Sequence, residues 1–222
     1  MTLRVGVLIS GNGSNLQALI DLCHRDSFCP VEIVHVLSNK ADAYGLARAK
    51  EAGISTTVLN HKDFSTREAF DRAMDVALRE QRVELVCMAG FMRLLTPWFV
   101  SQWEGRLLNI HPSLLPSFKG LDAQKQALEA GVRFSGCTVH IVTKEMDAGP
   151  ILVQAVVPVY TNDTPEALAE RIHKAEHIIY PHTLKLFAQD SVSLKNGRAF
   201  IKGKDASLST FLYNDGSALH SV

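Results

Sequence analysis

The sequence has no excess of either charge: Lys plus Arg and Asp plus Glu stand at 23 each among 222 residues. No global field therefore recruits nucleic acid or an anionic membrane, although a local anion site remains compatible with that balance. Long apolar runs are also missing. Nothing approaches the roughly 20 residues of a membrane span. Met1-Thr2-Leu3-Arg4-Val5 leads into a strand pattern without the basic segment, apolar core and cleavage site of a secretion signal. Cysteine is sparse, and Cys23, Cys29, Cys87 and Cys137 show no C-x-x-C spacing. That argues against a zinc site or disulfide framework and for buried, reduced thiols in a cytoplasmic protein. No repeat, low-complexity tract or linker interrupts the chain. Its hydrophobic share of 46% and charged share of 21% suit a globular chain with a full core.

What is there is a regular alternation. Strand-like runs at 3–9, 31–37, 56–59, 85–89 and 107–110 alternate with helix patterns at 15–23, 42–52, 65–81 and after Thr96-Pro97. Asp42 is read as the cap of the second helix, and Ser65-Thr66-Arg67-Glu68 as a capping box opening the third. A helix at 123–130 follows. Strands at 137–142 and 151–157 are expected to pair antiparallel across the Asp147 loop. Thr164-Pro165-Glu166 opens a long helix with Leu168, Ile172, Ala175, Ile178 and Ile179 on its inner face. Asn196-Gly197 marks a turn between short strands, and the chain ends in a polar, mobile segment. The pattern predicts an α/β fold with a doubly wound, mostly parallel sheet and an antiparallel C-terminal portion. One domain spans about 1–190, with halves of about 1–105 and 106–190, and 191–222 is an extension.

Chemistry concentrates in Asn109-Ile110-His111-Pro112-Ser113 and Asp147-Ala148-Gly149. Side chains alternate along a strand, so Asn109 and His111 share a face, and Pro112 ends the strand at a sheet's carboxyl edge. A carboxamide can bind a developing oxyanion, and an imidazole can carry a proton near neutral pH. Asp147, if close, would orient that imidazole and raise its pKa. A second feature is Ser10-Gly11-Asn12-Gly13-Ser14-Asn15-Leu16, between the first strand and first helix. Two glycines and a helix start suit a phosphate. Leu16 stands where a dinucleotide fingerprint needs its third glycine, and no Gly-Lys-Ser/Thr of a P-loop follows. His140 is compatible with a place in the site or in the core. His173, His177 and His182 lack the acidic or cysteine partners of a metal site. Met88, Phe91, Met92, Trp98, Phe99 and Trp103 read as core and pocket wall.

These stretches, together with Ser38-Asn39-Lys40-Ala41-Asp42, Ala89-Gly90-Phe91-Met92-Arg93, Leu114-Leu115-Pro116 and Ala175-Glu176-His177-Ile178-Ile179-Tyr180-Pro181, resemble the phosphoribosylglycinamide formyltransferase family. The likeness runs over roughly residues 3 to 190 and implies a Rossmann-like formyltransferase fold. It implies formyl transfer from 10-formyltetrahydrofolate to glycinamide ribonucleotide in purine synthesis, without a metal. His111, Asn109 and Asp147 would be catalytic. Gly11, Asn12, Gly13, Ser14, Asn15 and Glu176 would bind the ribonucleotide. Arg67, Met92, Arg93, Leu94, Leu95, Asn109, Thr143 and Asp147 would bind the folate. The resemblance also implies a cytoplasmic monomer or homodimer with no nucleic-acid or membrane partner. Some members carry histidines after Gly120, where this chain has Asp122 and Gln124. The rivals are a formate-releasing hydrolase or a tRNA formyltransferase, for whose extra domains this chain leaves no room. A non-catalytic nucleotide module would leave Asn109, His111 and Asp147 unexplained.

Overall fold

A computed structural model describes residues 2–25, 29–202, 210–214 and 217–221. The chain falls into two units, Met1–Asn109 and Ile110–Val222, and the boundary lies inside one strand. The first unit holds β1 (Leu3–Ile9), α1 (Ser14–Arg25), β2 (Val31–Ser38), α2 (Gly45–Glu51), β3 (Ser55–Val58), α3 (Arg67–Glu80), β4 (Leu85–Met88), α4 (Pro97–Gln102) and most of β5 (Leu107–His111). Its strands are parallel and ordered β5-β4-β1-β2-β3. From Val5 to Ile9, β1 reads as an unbroken apolar run because helices cover both faces of the sheet, and Val5, Val7, Leu8 and Ile9 are fully buried. α1 packs against α2 and α3 against α4, the doubly wound arrangement the alternation predicts. Strand order reverses between β1 and β4. Ligands of such sheets bind at that reversal, outside the carboxyl ends of the strands.

Two helix starts differ from the sequence reading. α2 begins at Gly45 after Tyr44, with no side-chain cap, so Asp42 does not cap it. The Gly45 N–H donates instead to the Gly11 carbonyl at 3.1 Å, so the loop after β1 satisfies a donor a side chain would have taken. α3 is capped by Thr66, whose hydroxyl accepts from the Ala69 N–H at 3.0 Å, one residue later than a box led by Ser65.

α3 also holds both ends of α4. The Asp71 carboxylate accepts from the Thr96 N–H and hydroxyl, each at 2.7 Å. The Asp75 carboxylate accepts from the Trp103 indole at 3.0 Å and from Arg79 at 2.7 Å. Burial raises the Asp71 carboxyl above its usual range, against the lowering effect of the Thr96 bonds and the Arg67 and Arg93 charges.

The second unit holds α5 (Ala123–Glu129), β6 (Phe134–Ile141), β7 (Ile151–Pro158), α6 (Pro165–Ala188), β8 (Val192–Lys195), β9 (Arg198–Ile201), β10 (Thr210–Asn214) and β11 (Ser217–Ser221). β6 and β7 pair antiparallel as read, β10 lies parallel to β7, and β11 pairs with β10. α6 packs on β6 and β7 and buries Leu168, Ile172, Ala175 and Ile179. Ile178 is a correction: it is 40% exposed, because the 4-3-4 spacing of the buried set turns it off the inner face. Arg171 anchors this helix through Asp163, bonding both carboxylate oxygens at 2.8 and 2.9 Å. That pairing holds the Asp163 carboxyl below its ordinary value.

β8 and β9 form the expected hairpin, with positive φ at both Asn196 and Gly197 as a two-residue mirror-image turn requires. In the tail read as polar and mobile, residues 203–209, 215–216 and 222 lie outside the described residues. The strands β10 and β11 were not anticipated there.

Cys87 and Cys137 are buried, Cys23 and Cys29 half-buried, and all four are free thiols. Burial, together with Cys29 beside it, pushes the Cys23 thiol up to about 12.

His35 on β2 is 2% exposed, and neither ring nitrogen has a hydrogen-bond partner among the described residues. Burial lowers its pKa below 6.5, so the folded state favours the neutral ring. The unfolded chain then binds more protons, and stability present above about pH 6.5 is lost as pH falls toward the folded value. Urea midpoints at pH 7.5 and 5.5 are expected to differ less in His35→Leu than in the wild type. An unchanged difference would assign the acid sensitivity to other groups.

Candidate active site

β5 ends in the alternation Leu107, Asn109, His111, with Pro112 closing the strand. The strand runs one residue beyond the sequence reading and includes His111. Asn109 is half-buried and His111 is buried. The Phe118 carbonyl lies 2.9 Å from His111 Nε2 and can only accept, so Nε2 carries hydrogen. Nδ1 lies 3.5 Å from Asp147 Oδ2. The other Asp147 oxygen is 3.7 Å from His140 Nε2, so one carboxylate stands between two imidazoles. The Gly120 N–H also donates to Oδ2 at 2.9 Å. His140, which the sequence left between site and core, is thus beside the carboxylate and only 2% exposed. Burial lowers its pKa, and the charges of His111 and Lys119 add to that. The Ile141 carbonyl and Asp147 oppose it. His140 is consequently the neutral neighbour of this group near pH 7.

Asp147 sits at φ 48°, in the left-handed region where aspartate is among the better-tolerated residues. Gly149 has a steric reason to be glycine: a Cβ there would stand 1.8 Å from the Ile141 carbonyl oxygen. The Asp-Ala-Gly motif therefore reflects one acidic side chain and one close backbone crossing. Thr143, in the same loop, donates its hydroxyl to the Glu145 carbonyl at 3.2 Å. Glu176 on α6 is 3% exposed. Cys137 is raised well above the usual thiol value by burial and by the charge of Glu176.

In the first unit, the loops after β1 and β4 meet at the strand-order reversal. The buried Ser10 hydroxyl donates to Asn39 Oδ1 at 2.6 Å and accepts from the Met92 N–H at 2.8 Å. One hydroxyl thus joins the ends of three strands. Gly13 has φ +74°, and a Cβ there would meet the Gly45 Cα at 2.7 Å. Gly11 has open space around its would-be Cβ, so packing within the protein does not demand glycine there. Ser14 opens α1, and Asn15 in its first turn is buried.

Beyond β4, Met92 is 70% and Leu94 63% exposed, while Leu95 is buried and Arg93 half-buried. Arg67, exposed at the start of α3, donates to the Leu94 carbonyl. Residues 92–95 are therefore fixed through their main chain while two apolar side chains face outward. Sequence reasoning missed Ser10 as the bridge to Met92. It also missed Arg48, whose guanidinium reaches the loop at Asn12. Neither follows from spacing, since each acts on a residue more than 30 positions away. Among the described residues, no group of three or more His, Cys, Asp or Glu is placed to hold a metal ion. None of the described helices is long and apolar enough to cross a membrane.

The formyl transferase family model matches residues 3–184. The chain belongs to the formyl transferase family. The phosphoribosylglycinamide formyltransferase of Escherichia coli (strain K12) is 46% identical to it over 202 residues, covering 91% of this chain and 95% of that one. A crystal structure of phosphoribosylglycinamide formyltransferase from Anaplasma phagocytophilum superimposes with a TM-score of 0.88 at 47% identity. It covers 96% of this chain and all of that one. The trifunctional purine biosynthetic protein adenosine-3 of Chironomus tentans is 57% identical over 195 residues, covering 87% of this chain. This formyl transferase chain spans 14% of that protein's length and 19% of its Bos taurus counterpart.

Proposed function

We propose that the chain moves the formyl group of 10-formyltetrahydrofolate to the amino group of 5-phosphoribosyl-glycinamide, a step of purine synthesis in the cytoplasm. The observation that carries this reading is the strand end with Asn109 and His111 on one face, and Asp147 3.5 Å from His111, in a formyl transferase. The relatives named above support the choice of acceptor.

The acceptor amine attacks the formyl carbon, forming a C–N bond and leaving negative charge on the formyl oxygen. The Asn109 amide N–H stabilises that oxygen, and His111 joins it by exchanging its Nε2–H bond to the Phe118 carbonyl for one to the substrate. The C–N10 bond then breaks, and the proton lost by the amine passes to N10 by way of His111 and water. Asp147 holds the imidazole in register; the spacing of 3.5 Å is long for a hydrogen bond, as is common before substrate binds.

Gly11, Asn12, Gly13, Ser14 and Asn15 take the phosphate, and Glu176 takes the glycinamide amine. Residues 92–95, with Arg67, Asn109, Thr143 and Asp147, take the folate. The outward-facing Met92 and Leu94, on a main chain tied by Ser10 and Arg67, suit a flat heteroaromatic ring that needs edge hydrogen bonds and an apolar wall.

Following folate absorbance with purified protein and 10-formyltetrahydrofolate, or a dideaza analogue, tests the proposal. The expected change requires glycinamide ribonucleotide and is indifferent to a chelator. An equal change without the amine would make the chain a hydrolase.

A further inference from the structure

We propose that Arg48 is the positioning residue of the phosphate loop: from α2 it turns the loop's N–H groups outward and places a fixed positive charge behind them. This inference rests on the phosphate role given above to residues 11–15. Arg48 Nε donates to the Asn12 carbonyl at 3.0 Å, and a terminal nitrogen donates to Asn12 Oδ1 at 3.1 Å. The other terminal nitrogen donates to Gln17 Oε1 at 3.2 Å, on the first turns of α1. The guanidinium also stacks on Tyr44, 4.8 Å from the ring centre. All these partners are neutral, and among the described residues no carboxylate pairs with Arg48. Its charge is therefore uncompensated beside the loop.

The backbone consequence follows from peptide geometry. Gly45 N–H, at the start of α2, holds the Gly11 carbonyl at 3.1 Å, and Arg48 holds the Asn12 carbonyl. Two successive carbonyls thus turn toward α2. In a planar trans peptide the N–H points opposite to the C=O, so the N–H groups of Asn12 and Gly13 turn away from α2 together. Neither of these N–H groups has a protein acceptor among the described residues. Successive N–H groups aimed to one side form an anion-binding concavity. The contact between the loop and α2 is tight enough to demand glycine at position 13, while at position 45 the nearest obstacle is a side-chain tip of β1. A Cβ on Gly13 would meet the Gly45 Cα at 2.7 Å, and one on Gly45 would meet Ile9 Cδ1 at 2.6 Å.

Arg48→Gln tests this, compared with the wild type on glycinamide ribonucleotide and on the corresponding riboside without its 5′-phosphate. The variant is expected to raise KM for the ribonucleotide about tenfold. kcat and KM for the formyl donor stay within about twofold. On the riboside, kcat/KM is the same for both proteins. A KM increase of equal factor on both substrates, or no increase on either, would overturn the proposal, since a general loosening does not distinguish a phosphate. Arg48→Lys, which keeps the charge but not the fork on Asn12, should fall between the two. A second arm needs no turnover: inorganic phosphate should raise the Tm of the wild type more than that of Arg48→Gln. Should the wild type transfer no formyl group, the functional reading fails while this arm still decides Arg48. An equal Tm response in both proteins, or none in either, refutes it.

Discussion

Replacing His111 with alanine is expected to lower kcat by about 10²–10⁴, with KM for either substrate changed little. Asn109→Ala should lower kcat by about 10²–10³. His111 is buried, with Nε2 on the Phe118 carbonyl and Nδ1 facing Asp147, so its ring is held on both sides before any substrate arrives. A group held this way contributes chiefly to the charge that appears on the reaction path, which is why the loss should fall on turnover. Removing the ring also leaves the Phe118 carbonyl without its donor, which costs about 1–3 kcal/mol of stability. Thermal melts must therefore accompany the kinetics. The double variant should lose less than the product of the single losses, because the proposed mechanism has the two side chains serve one oxygen. Near wild-type turnover in either single variant would remove that residue from the proposed mechanism.

Gly149→Ala carries the second large effect, and it touches none of the proposed reacting groups. The added methyl would stand 1.8 Å from the Ile141 carbonyl oxygen, and a backbone atom cannot swing aside as a side chain can. The loop between β6 and β7 must shift, and Asp147, two residues away, shifts with it from between His111 and His140. A displacement of about 1 Å in a catalytic assembly can cost roughly 100-fold. kcat is expected to fall by about that factor while far-UV circular dichroism stays native. Gly53→Ala is the control: its Cβ would meet nothing within 4 Å, so the variant bears only the strain of φ +71°, about 1–2 kcal/mol of stability, and turnover should hold. Full activity in Gly149→Ala with an intact fold would show that the loop absorbs the methyl without moving Asp147.

The strands were legible because a sheet covered on both faces selects mostly apolar runs, as in Val5–Ile9 of β1 and Leu85–Met88 of β4. The Asn109 and His111 pair was legible because a proline stops the strand beside it. What escaped the sequence depends on partners remote along the chain. The cap of α2 is a carbonyl from the loop after β1, which made Asp42 a false signal. Ile178 was misplaced because an apolar residue next to the buried stripe satisfies the same periodicity. His140 became interpretable only once Asp147 was placed between it and His111. Arg48 gave no local sign, since a basic residue in a short helix ordinarily faces water.

The two carboxylates of α3, one helical turn apart, have a dynamic consequence. A six-residue helix such as α4 cannot persist by its own hydrogen bonds. Clamped at Thr96 by Asp71 and at Trp103 by Asp75, it draws its persistence from the longer helix beside it. Residues 92–95, which lead into Thr96, are thereby moored at their far end to a fourteen-residue neighbour, although they have neither helix nor strand of their own.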